Sequence, residues 1–157
     1  MRVTACMARS DSFSNVVPAD LSFLGRFERC ELPEFEWTHP AHVRLAWICL
    51  SLEPENKALV RIREGILRYN TEVLHRRHKY HETVTVAFTH IVAERMRPEE
   101  SWSDFAEHIS DILDPGRPVL LRYYSEHRLY SDEARRRFVE PDREDLPDLC
   151  VGKHESG

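Results

Sequence analysis

Two short stretches concentrate the side chains able to move a proton or hold a metal. One is His39-Pro40-Ala41-His42-Val43-Arg44, the other Tyr80-His81-Glu82-Thr83-Val84-Thr85. His39 and His42 are three apart, so on a helix they share a face. If the second stretch is helical, His81 lies above Val84, Thr85 and Phe88, on the stripe that faces a core. Both stretches open helices, and the positive end of a helix dipole disfavours imidazolium. Neutral imidazole is the form that metal ligation and general-base catalysis need, and the same helix ends can hold an anion.

Two forms of chemistry follow. In one, His39, His42 and His81 hold a divalent metal (zinc, iron or manganese) and leave a position for water or substrate. Glu82 is the weakest addition to that set, because neighbours on a helix diverge by about 100°. In the other, His42 or His81 shuttles a proton while Arg44, Tyr80 or Thr85 positions a small acidic substrate. The segment is not the zincin H-E-x-x-H, since Thr85 stands where its second histidine belongs. The structural alternative is that His39 caps a helix, His42 is a satisfied core residue, and Thr83 or Thr85 bonds back to a carbonyl one turn earlier.

Weaker candidates surround these. His75, His78 and His81 step by three, but Arg76, Arg77 and Lys79 interleave and would repel a cation, so a solvated basic loop is expected. Arg135-Arg136-Arg137 reads as an exposed helix face or a minor anion site. Tyr123-Tyr124 either line a pocket or pack with bonded hydroxyls. His90 and His108 read as ordinary. The cysteines Cys6, Cys30, Cys49 and Cys150 form no C-x-x-C pair, and Cys49 reads as core. Cys30 has no histidine at helical spacing to activate it.

Helices must position these residues. Asp20 can cap a first helix to about Cys30. His39 as N-cap and Pro40 in the first turn start a second, running to about Ser51 and apolar nearly all round, hence central. A third spans 55 to about 70 on Leu59, Ile62, Ile66 and Tyr69; residues 71–79 are loop or frayed helix. A fourth runs from Tyr80 or His81 to Arg97, with a strand as the competing reading of its valines and threonines. Ser101 with Asp104 forms a capping box for a helix to Asp114. A short helix over 119–125 and a last one from Ser131 to about Phe138 complete the chain. The expectation is an all-α, compact single-domain bundle of about five to seven helices over residues 18–147, with a flexible leader (1–17) and tail (148–157).

Composition agrees with that class. The chain has 157 residues and a formal charge of −5, with 41% hydrophobic and 31% charged residues, enough for one domain with a sizeable core. The longest apolar run, Leu45 to Leu50, is far short of the roughly 20 residues that span a bilayer. Met1 to Asp11 contains no apolar stretch of the secretory kind. An acidic balance disfavours general nucleic-acid binding. Five glycines without a glycine-rich loop argue against a nucleotide site, and no flavin or haem signature is present. A cytoplasmic protein with reduced thiols is expected.

Three segments also carry a resemblance. Trp37-Thr38-His39-Pro40-Ala41-His42-Val43-Arg44-Leu45-Ala46-Trp47, then Lys79-Tyr80-His81-Glu82-Thr83-Val84-Thr85, then Tyr123-Tyr124 and Ser131-Asp132-Glu133-Ala134-Arg135 through Phe138-Val139-Glu140-Pro141-Asp142 are similar to a family of short, uncharacterised bacterial proteins. Its pattern reads F-x-H-x-x-H-L-R-L-A-W, Y-H-E-T-x-T and S-x-E-A-R-x-x-F-V-x-P-D-L-x-P-L-P, and the likeness covers about residues 20–147. The resemblance implies that His39, His42, Arg44, Tyr80, His81, Glu82 and Thr85 are family features, and that Ser131, Arg135 and Pro141-Asp142 close over the site; it brings no reaction with it. Arg143 to Pro147 depart from the L-x-P-L-P ending, and His75 to His78 fall where relatives have a glycine-containing loop.

The functional expectation is a small histidine-dependent enzyme, with or without a divalent metal, doing lyase-, isomerase- or hydrolase-like chemistry on a small polar or carboxylate-bearing metabolite. His42 and His81 are the ligands or acid/base groups, Arg44 holds an anionic group, and Tyr80, Glu82 and Thr85 orient the histidines. The rival is a non-catalytic helical module that binds a small ligand or a partner enzyme. A homodimer is compatible with either.

Overall fold

The computed structural model describes residues 15–115 and 118–147. The helices are α1 (Pro18–Glu28), α2 (His39–Leu52), α3 (Glu55–Glu72), α4 (Glu82–Arg95), α5 (Trp102–His108), α6 (Ser110–Leu113), α7 (Glu126–Leu129) and α8 (Asp132–Arg136). Three 3₁₀ turns, Glu34–Glu36, Arg77–Lys79 and Val119–Arg122, join them. Among the described residues there is no strand, which settles the competing reading of 82–95 in favour of helix. No described helix is long and apolar enough to cross a membrane.

The all-α bundle is built around α2. Val43, Leu45, Ala46, Trp47, Ile48, Cys49 and Leu50 are all buried, because α1, α3, α4 and α6 pack around it. Burial pushes the Cys49 thiol up to about 12, so it is an inert core group. The α1–α3 contact is close: a Cβ built on Gly65 would lie 2.7 Å from Phe27 Cε1.

Several boundaries differ from the sequence reading, each for a local reason. The described chain is already anchored before residue 18: Val16 packs on the core and Val17 N–H donates to the Asp20 carboxylate. Most of the expected leader (1–14) and the tail (148–157) lie outside the described residues. Thr38, not His39, caps α2, its hydroxyl accepting from Ala41 N–H. The helix expected over 101–114 is capped by Ser101 with Asp104 as read, but it breaks at Ile109 (φ −114°, ψ 28°) into α5 and α6. Helix α7 was not foreseen, although Ser125 caps it by accepting from Arg128 N–H. Of the 71–79 stretch, Thr71 and Glu72 continue α3, and the rest is a turn with His75 at φ 52° followed by the 3₁₀ turn.

Candidate functional site

A cavity of about 240 Å³ lies between α2, α3 and α4. His39 and His42 reach it from α2, Ile62 and Ile66 from α3, and Phe88, Thr85 and Thr89 from α4. Its wall is mostly apolar, and no charged side chain lines it.

Backbone carbonyls fix the tautomer of both histidines. His42 Nδ1–H donates to the Thr38 carbonyl at 2.7 Å, one turn back. His39 Nε2–H donates to the Ile112 carbonyl at 2.7 Å, which ties α6 to α2. In the neutral rings, His42 Nε2 and His39 Nδ1 therefore carry the free lone pairs. Trp37 stacks on the His42 ring with centroids 3.7 Å apart. Burial, with a smaller push from His39, lowers the His42 pKa to about 4, so the ring is neutral at pH 7. The threonines add acceptors only: Thr85 donates to the His81 carbonyl and Thr89 to the Thr85 carbonyl. The hydroxyls and ring N–H groups of these four lining residues are thus committed to carbonyls, which leaves lone pairs as their spare polar capacity.

The second motif does different work. His81 is the N-cap of α4, its Nδ1 accepting from Val84 N–H at 3.2 Å, while Nε2–H donates to the Leu129 carbonyl at 2.7 Å. Both ring nitrogens are engaged in hydrogen bonds within the protein. The expected ligand or base role of His81 therefore finds no free ring nitrogen in this arrangement. Glu82 receives a bidentate contact from Arg63 on α3, at 2.9 and 3.0 Å from Nε, and the Tyr80 hydroxyl. The guanidinium and phenol hold its carboxylate below the usual range despite burial. Burial and this carboxylate push the Tyr80 phenol up. Thr83 is buried, donates to the Arg137 carbonyl and accepts from Val139 N–H. The Y-H-E-T-x-T segment is therefore a hub that ties α3, α7 and the chain after α8 to the start of α4.

Arg44 is engaged away from the cavity. It binds Asp20, which is 1% exposed, at 2.6 Å, and lies over the Phe23 ring. It clamps α1 to α2 and does not line the cavity. His39 and His42 do come together; His81, Glu82, Tyr80 and Arg44 do not join them, and only Thr85 does. No group of three His, Cys, Asp or Glu side chains is poised for a metal among the described residues. His39 Nδ1 and His42 Nε2 are the atoms that could ligate one, a pair short of the three or four protein ligands of zinc sites.

Other readings resolve as packing. Tyr124 is buried with its hydroxyl on the Val139 carbonyl, Tyr123 is buried, and His108 bonds Glu100. Asp142 accepts from the Ser125 amide and hydroxyl, so it clips the C-terminal segment to α7 and does not close over the cavity. Trp37, Thr89 and Arg63 were missed as site or support residues. Nothing local marks Arg63, whose partner is 19 residues away. Thr89 was legible as Thr85 plus four.

No family model matches the chain, and no curated protein or solved structure is significantly similar to it.

Proposed function

We propose that the protein is a small histidine-dependent enzyme whose proton acceptor is His42. The supporting observation is the pair of imidazoles, each locked in one tautomer by a backbone carbonyl, facing one small apolar cavity. A neutral ring in apolar surroundings keeps an acceptor lone pair at pH 7; it is a weaker base than free imidazole, and the imidazolium formed there is a strong acid that gives the proton back readily. That suits a proton relay within a lyase-, isomerase- or hydrolase-type reaction, and it restricts the substrate to one with an acidic proton. With Arg44 committed to Asp20, the substrate is largely apolar with one O–H or N–H donor, not a carboxylate. His39 is the neighbouring acceptor that orients it. No metal is needed for this step. Unpaired Cys30 and Cys49 are compatible with a reducing, cytoplasmic setting.

The rival is a binding module, favoured by the absence of any charged group in the cavity wall. Phenol, an apolar ring with one acidic O–H, separates the possibilities, with benzoate as its anionic counterpart. Phenol should raise the melting temperature of the wild type but not of His42→Leu, and benzoate should do neither. Equal stabilisation of both proteins by phenol would reduce the site to apolar packing. For a donor-bearing ligand so identified, turnover lost in His42→Gln while binding persists marks the enzyme. Binding without turnover in the wild type marks the module.

A further inference from the structure

A second cavity, of about 810 Å³, opens where the turn after α3 meets α8. No acidic residue lines it: His75, Arg77 and His78 stand on one rim, Arg135 and Arg136 on the other. We propose that this cleft binds the diphosphate group of a small phosphorylated molecule.

The charge arrangement carries the argument. Most described arginines are neutralised by a carboxylate, as in Arg61–Glu28, Arg95–Asp111 and Arg122–Glu144. Among the described residues, Arg68, Arg128, Arg135 and Arg143 have no ion pair but donate to backbone carbonyls; Arg77 and Arg136 have neither kind of partner, and both line this cleft. Glu82, which follows the lining residue Tyr80 by two, is held by Arg63 and by the Tyr80 hydroxyl. Arg76 turns instead toward Glu34, 3.8 Å away. Arg135 donates to the Lys79 carbonyl and so joins the two rims. The loop itself is anchored, with Arg76 N–H on the Asn70 carbonyl at 2.7 Å.

Unneutralised like charges gathered in a chain of net charge −5 repel one another unless an anion sits between them. A single carboxylate is satisfied by one guanidinium, whereas two adjacent phosphates match guanidiniums on facing rims. The volume lies in the range of small-molecule sites. One open basic cleft lined by eight residues on an acidic protein does not make the extended stripe that a nucleic-acid strand requires. The cleft is separate from the histidine cavity, and the inference does not rest on the reading of that site.

Calorimetric titration with inorganic pyrophosphate tests it, in the full chain and in Arg77→Gln, Arg136→Gln and Arg29→Gln. Arg77 and Arg136 are exposed, so their variants should keep the wild-type melting temperature. Arg29, also exposed and paired with Glu31, controls for net charge. Expected is binding of pyrophosphate that weakens about tenfold or more in each cleft variant and is unchanged in Arg29→Gln. ADP run in parallel distinguishes the sources: tighter binding than pyrophosphate assigns the group to a nucleotide, equal binding to a diphosphate without base contacts. The proposal is overturned if neither binds at about 1 mM, if Arg29→Gln loses as much as the cleft variants, or if a single-stranded oligonucleotide binds more tightly than both.

Discussion

At the residue scale, histidines that look alike in the sequence differ in which ring nitrogen is free. His42 and His39 each donate one N–H to a carbonyl and keep one lone pair, while His81 uses both nitrogens. The consequence is opposite outcomes of substitution. His81→Ala removes a cap and the tie to Leu129, and should lower stability by about 2 kcal/mol in urea unfolding. His90 is a different case: its buried Nδ1 has no hydrogen-bond partner and its ring stacks near Phe138, 6.3 Å between centroids. Replacing an orphaned buried polar atom with an apolar ring should be neutral or stabilising, so His90→Phe is expected to match or exceed the wild-type melting temperature at pH 7. A clear loss of stability there would show that Nδ1 has a partner in solution.

At the element scale, periodicity and caps made the long helices legible. The all-apolar run from Val43 to Leu50 marked α2 as central, and Ser101 with Asp104 marked the start of α5. What the sequence could not show is pairing across long separations. The tyrosine–glutamate motif looked catalytic because Arg63, its partner, is a helix away, and Arg44 looked like an anion holder because Asp20 is 24 residues distant. Short helices near residues 109–129 were misread because their ends depend on tertiary contacts more than on propensity. The spacing that brings His39 and His42 to one face was readable; that Ile62 and Phe88 would complete their cavity was not. The α1–α3 contact gives a test at this scale. Gly65→Ala must displace the Phe27 ring, and a cost of about 1–3 kcal/mol is expected from chemical denaturation.

At the scale of the whole molecule, half-buried neutral histidines shape the dependence of stability on pH. His42 and His90 are lowered to about 4, chiefly by burial, against about 6.5 in an unfolded chain. The unfolded state therefore binds protons first. Their contribution is fully present above pH 6.5 and is lost as pH falls toward 4, by up to about 3 kcal/mol for each group. Unfolding free energy should thus fall between pH 6.5 and 4, and less steeply in His90→Phe. The most direct test of the His42 proton-acceptor site is long-range ¹H–¹⁵N correlation of the imidazoles across a pH titration. The expected result is His42 protonated at Nδ1 alone, with Nε2 free down to about pH 4 and shifted when phenol is added. A His42 that titrates near 6.5, or carries its proton on Nε2, would contradict the site.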